Sequence, residues 1–217
     1  YGGGFGLYMI QYALHKISIA LFSAIFFVMN WEFMRNWFGD YAGLLAAGYA
    51  LTLVITLGLF LFCCSNRFHH LICRLLDFAN QKFHGKFEIM AEEIKRQCMM
   101  LEDASNHLMK NKKVTTEVIF LCLLKCCFWY GIPYLLFKGV QFQGNPALSL
   151  SQVLAITSLS VMLAAVIPSP AGIGSTEFVF TTLFAGIVGT GIAGSASLLY
   201  RFGTFVFPFL VGAVVVL

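Results

Sequence analysis

Charge is scarce in this chain of 217 residues: Asp, Glu, Lys and Arg together make up 11%, while hydrophobic residues make up 59%. Soluble domains carry about 25% charged residues, so a soluble all-α core of this size has too few polar side chains to cover its surface. Catalytic signatures are missing too. There is no GxSxG, HExxH, P-loop or paired-carboxylate motif, and the Gly2-Gly3-Gly4 run has no flanking strand that would make it a phosphate loop. No basic stripe interleaves with stacking aromatics, which argues against nucleic acid as a partner. The seven cysteines lack the CxxC…CxxC spacing of a zinc site. Cys122, Cys126 and Cys127 share one apolar segment and read as packing residues, so neither a metal nor a cofactor is expected. The chain opens on Tyr1 with no signal-peptide pattern and closes in Val214 to Leu217 without a polar flank, so a fragment of a longer protein is expected.

What is present is apolar and long. Leu7 to Met29 is of spanning length, interrupted by His15 and Lys16, and a short loop with Trp31, Arg35, Trp37 and Asp40 follows. Ala42 to Cys64 runs without a charge, and Val114 to Phe137 carries Lys125 near its middle. Leu150 to Ile167 bears Ser and Thr, Thr176 to Gly189 is short, and Ala193 to Leu217 contains Arg201 and Pro208, the latter a site for a kink. At about 20 residues per crossing these predict an all-α, polytopic integral membrane protein of about six hydrophobic segments, 1–217 forming one transmembrane domain. The 14 residues of the fifth segment cover about 21 Å, less than the ~30 Å hydrocarbon core, so a re-entrant hairpin is one reading of it.

Residues 65–113 differ. They hold nine of the 14 Lys and Arg and six of the ten acids. Phe68, Leu71, Ile72, Leu75, Leu76 and Ala79 recur at helical spacing, as do Phe87, Met90, Ala91, Ile94, Cys98 and Leu101. The segment predicts an amphipathic helical loop on the cytoplasmic face, by the bias of Lys and Arg toward the inside. It serves as a connector or as a docking site for a partner.

The stretch Ile167 to Glu177 (IPSPAGIGSTE) breaks an apolar run with two prolines and two glycines. Backbone that leaves the helix at membrane depth must be buried in protein or line a wet cavity, and such breaks point to transporter binding sites. The competing reading is a tight interfacial turn. Ser175 or Thr176 can cap the next helix, whose N-terminus suits a phosphate or carboxylate. Ionisable residues inside spans default to functional hypotheses, which selects Glu177, Arg201 and Lys125. Glu177 and Arg201 either pair, which across a straight-through helix needs a re-entrant geometry, or Arg201 holds a lipid phosphate with its planar fork.

Pro168, Gly172, Gly174, Glu177 and Arg201, with Ala196 to Arg201 (ASLLYR) and the Phe207-Pro208 pair, resemble the C-terminal signature of the lysylphosphatidylglycerol synthase transmembrane family. This is the flippase-like membrane domain of the multiple peptide resistance factor type. The resemblance implies a multi-pass domain of the bacterial cell membrane that handles lipids. Its expected partners are aminoacylated phosphatidylglycerol or a polyprenyl-linked substrate, and a second copy of the chain or a cytosolic transferase. In bifunctional members the membrane domain flips aminoacylated phosphatidylglycerol, and a separate cytosolic domain transfers the lysine. The resemblance therefore leaves two functions open: lipid translocase, or membrane portion of a phosphatidylglycerol lysyltransferase with no catalytic residue in this chain. The substrate-binding set it selects is Pro168, Gly172, Gly174, Ser175, Thr176, Glu177 and Arg201, with Lys125 added as an intramembrane cation.

Overall fold

A computed structural model describes residues 2–64, 111–139, 148–167, 169 and 172–216, with the single residues 74, 92, 96 and 99. Most of the expected amphipathic loop at 65–113 and most of the 141–149 connection lie outside these residues. Helix is the only regular structure among the described residues. The elements are α1 (Gly2–Met29), α2 (Trp31–Phe38), α3 (Tyr41–Cys64), α4 (Lys112–Gly139), α5 (Leu150–Ala164), α6 (Ser175–Val188), α7 (Thr190–Arg201) and α8 (Phe207–Val216). Among the described residues, four stretches are long and apolar enough to cross a membrane: Ile10–Met29, Tyr41–Gly58, Lys112–Gly139 and Thr190–Val215.

The backbone divides into two compact units. The first holds the start of α1, the end of α3 and the start of α4, where Ile10 and Leu14 pack with Phe60, Val118 and Ile119. Lys16 does not interrupt α1; its ammonium lies 5.4 Å from the Tyr12 ring, one turn earlier on the same helix.

The second unit, 19–53 with 123–217, contains the main core. At its centre is α5, buried without a break from Val153 to Ser160. A helix apolar all round belongs in the middle of a bundle. Ser149 and Gln152 close a capping box at its start. It ends at Ala164, three residues short of the expected Ile167, because the residue before Pro168 is driven out of the α region. α5 and α6 are thus 15 and 14 residues long, both too short for a full crossing.

Two other expectations change. The loop expected after α1 is the helix α2, with Met34 buried and Trp31, Arg35 and Trp37 exposed. Its apolar residues Phe33, Met34, Trp37 and Phe38 recur at i, i+1, i+4 and i+5, a helical face that was legible. The kink expected at Pro208 is instead a π-helical turn at Phe202–Val206 just before it. Pro208 has no N–H to give, and its ring would strike the carbonyl one α-turn back; the wider turn, in which Phe207 N–H donates to Phe202 O, takes up that mismatch. The chain from Thr190 to Val215 stays continuous enough to span.

Candidate functional site at the helix break

Gly189 governs the geometry. It takes φ 84° and ψ 150°, a conformation that L side chains rarely adopt, and it ends α6 and opens α7. The two helices fold back as a hairpin. Glu177 and Arg201, 24 positions apart, lie twelve residues before and twelve after that glycine, so an antiparallel return sets them level. Arg201 Nε donates to Glu177 Oε1 at 2.9 Å. The pairing left open by the sequence is formed, and the turn at Gly189 is what the straight-through picture lacked.

The other carboxylate oxygen is also engaged: Gly174 N–H donates to Glu177 Oε2 at 2.8 Å. Glu177 therefore satisfies an N–H at the start of α6 and places negative charge at the positive end of that helix. Gly174 has no side chain to return a bond, so this is the carboxylate half of a capping box. The side chains are 15% exposed for Arg201 and 26% for Glu177, so the pair is neither solvated nor sealed.

Around the pair the loop is held by small groups. Gly172 and Gly174 have φ of 69° and 84°. A Cβ on Gly172 would sit 3.1 Å from Thr176 Oγ1 and 3.9 Å from Arg201 Nη2, so glycine there lets the loop pass against the guanidinium. Ser169 Oγ and Ser175 Oγ are 2.6 Å apart, and Ser175 Oγ donates to Gly172 O at 3.3 Å. Ser175 and Thr176 are buried. Ser197 Oγ reaches Glu177 O at 3.5 Å from α7, and the Phe205 ring of the π turn lies 4.8 Å from the Arg201 guanidinium. Tyr200 stacks on Phe180 with ring centroids 5.6 Å apart, which fixes α7 against α6 beside the pair.

The expected set is thus partly assembled. Gly172, Gly174, Ser175, Thr176, Glu177 and Arg201 meet at one point, and Pro168 lies outside the described residues. Lys125 is found elsewhere. On α4 the buried positions are Cys126, Tyr130, Pro133 and Phe137, one helical face. Lys125 is off that face and exposed, with its ammonium 4.4 Å from the Trp129 ring centroid. Of the three packing cysteines, Cys126 is buried, Cys122 partly so, and Cys127 exposed. Sequence reasoning did not select Ser169, Ser197, Phe205 or Gly189. The equal spacing of Glu177 and Arg201 about Gly189 was the available signal. The arrangement offers a guanidinium suited to phosphate, a carboxylate suited to an amine, and a helix N-terminus.

The match to known proteins is at family level. Residues 5–212 fit the family described as Lysylphosphatidylglycerol synthase TM region. Neither the curated proteins nor the solved structures contain a significant match.

Proposed function

Because this chain belongs to the lysylphosphatidylglycerol synthase TM region family, we propose that it translocates a phosphate-bearing lipid, with the headgroup passing at the Glu177–Arg201 pair. The family makes it a membrane protein tied to lipid handling. Translocation is the further step, and one observation carries it: an ion pair sits where the half-length helix α6 begins and α7 widens into the π turn. From Gly189, the 14 residues of α6 and the 12 of α7 reach down about 21 and 18 Å. With the hairpin apex at one face of a ~30 Å core, the pair lies near the midplane. Charge at that depth is expensive and marks substrate routes.

In this reading Arg201 exchanges a carboxylate for a lipid phosphate, to which its fork is better matched than lysine would be. Glu177 keeps its bond to Gly174 N–H and accepts the amine when the headgroup is aminoacylated. In this reading the protein sits in a bacterial cell membrane with 65–113 in the cytoplasm, a side that the Lys and Arg of that segment support. The family description also favours a second reading, in which the chain is the membrane portion of a phosphatidylglycerol lysyltransferase whose chemistry lies in another domain.

The test is lipid translocation in liposomes, with labelled phosphatidylglycerol and its lysylated form, for wild type, Glu177→Gln and Arg201→Ala. Transport by wild type that is lost in both correctly folded variants is expected. A wild type that moves neither lipid overturns translocation of phospholipids and leaves the transferase reading.

A further inference from the structure

α2 joins two helices that each carry a stretch of spanning length, Ile10–Met29 before it and Tyr41–Gly58 after it, so it lies at one membrane face. Two contacts tie other helix ends to that face. Ser151 Oγ donates to Asn30 Oδ1 at 2.8 Å and Asn30 Nδ2 to Ser151 O at 3.3 Å, which holds the start of α5 at the end of α1. At the end of α6, a Cβ on Gly186 would sit 3.5 Å from Trp37 Nε1 of α2. The start of α5 and the apex at Gly189 therefore share the α2 face, and the 165–174 loop is the end that reaches into the membrane. With 15 and 14 residues, α5 and α6 extend about 22 and 21 Å inward, which leaves roughly 8 Å of a ~30 Å core beyond them.

The two ends of this hairpin differ. Towards α2 it is filled. Counted back from Gly189, Phe184 stands five residues in, Phe180 nine and Glu177 twelve, about 8, 14 and 18 Å. Phe137, Phe184, Phe180 and Tyr200 form a column of rings, with successive centroids 5.0, 4.5 and 5.6 Å apart. Phe180 and Phe184 are wholly buried, as is Ala193 in the first turn of α7. The other end is uncovered. Ala165, Val166, Ile167, Ile173 and Gly174 are exposed, and the ion pair behind them is partly so. Backbone outside a helix cannot face hydrocarbon, so an exposed loop at this depth meets water. That water comes from the nearer face, opposite α2, because the rings stand on the other side.

We propose that the Glu177–Arg201 pair is reached from the face opposite α2 alone, and that the column of Phe137, Phe184, Phe180 and Tyr200 is the barrier between the pair and the α2 face. The inference rests on the reading of the pair as a headgroup site. A headgroup held on Arg201 still has the column ahead of it, so Phe180 and Phe184 are the side chains that must part before a crossing is complete.

The test is cysteine labelling of the full chain in sealed membrane vesicles of the two orientations, with a membrane-impermeant maleimide read at each peptide by mass spectrometry. Asn36→Cys, exposed on α2, marks the α2 face. Ile173→Cys should react only in the orientation in which Asn36→Cys does not. Phe184→Cys should react in neither. Ala193→Cys repeats that measurement about 6 Å from Gly189 with little change of volume, should the loss of a ring prevent folding. Reaction of Ile173→Cys in the same orientation as Asn36→Cys, in both or in neither overturns the proposal. So does reaction of Ala193→Cys together with Asn36→Cys, because water would then enter the column from the α2 face. Labelling does not depend on transport. If wild type moves no lipid, the translocation reading fails, and the labelling pattern still decides whether the pair is reached from one face.

Discussion

Arg201 and Lys125 are both cations inside apolar helices, and the structure treats them in opposite ways. Arg201 follows the buried positions Ala193, Ala196, Ser197 and Tyr200 of α7 and meets Glu177 of the preceding helix α6. Lys125 adjoins the buried face of α4 just as closely, yet it is exposed and rests on Trp129 of its own helix. Position along a helix does not separate the two. An acid on a neighbouring helix does, and that acid is held by a backbone N–H of its own.

The comparison breaks or sharpens under substitution. Arg201→Ala should act most strongly, because it leaves the Glu177 carboxylate without its cation in a half-buried place. A loss of about 2 kcal/mol in thermal or denaturant unfolding is expected, together with a fall in translocation of roughly 100-fold. Unchanged unfolding would mean the pair is effectively solvated. Gly172→Ala should follow at about 1–2 kcal/mol, since a left-handed residue would carry a Cβ against Thr176 Oγ1. Gly174→Ala, with open space around its Cβ position, should lose less, and a reversed order would show that strain rather than crowding rules the loop. Glu177→Gln should lose only about 1 kcal/mol, because an amide oxygen still accepts from Gly174 N–H. If it costs as much as Arg201→Ala, charge and not capping is the residue's main contribution. Lys125→Met should be the smallest, within about 0.5 kcal/mol and twofold in translocation, with a shift in Trp129 fluorescence. A large transport defect there would put a second cation on the lipid route and erase the contrast.

How much was legible follows the same line. Apolar run lengths located the helices to within a few residues, since lipid tolerates few polar interruptions. The break at 167–177 and its opening glutamate were readable because Pro and Gly punctuate so strongly. Two things were hidden. The π turn depends on how the chain relieves Pro208, which several distortions could do. The ion pair depends on Gly189 acting as a turn, and glycine is common in transmembrane helices without turning them. The orphaned hydroxyl of Thr157 was hidden more deeply: it belongs to an ordinary residue in an apolar run, and only packing reveals that nothing answers it.

The hairpin about Gly189 works as a measured frame. Side chains along α6 and α7 can change chemistry without moving the pair, but their number cannot. One residue inserted between Phe178 and Val188 would turn Glu177 by about 100° around its axis and shift it about 1.5 Å, away from Arg201. One residue inserted in both arms would carry each partner about 1.5 Å deeper and rotate both. The chain should therefore tolerate exchange along these arms far better than insertion or deletion. The tally of twelve on each side of the glycine is itself a structural constraint, held by no single contact.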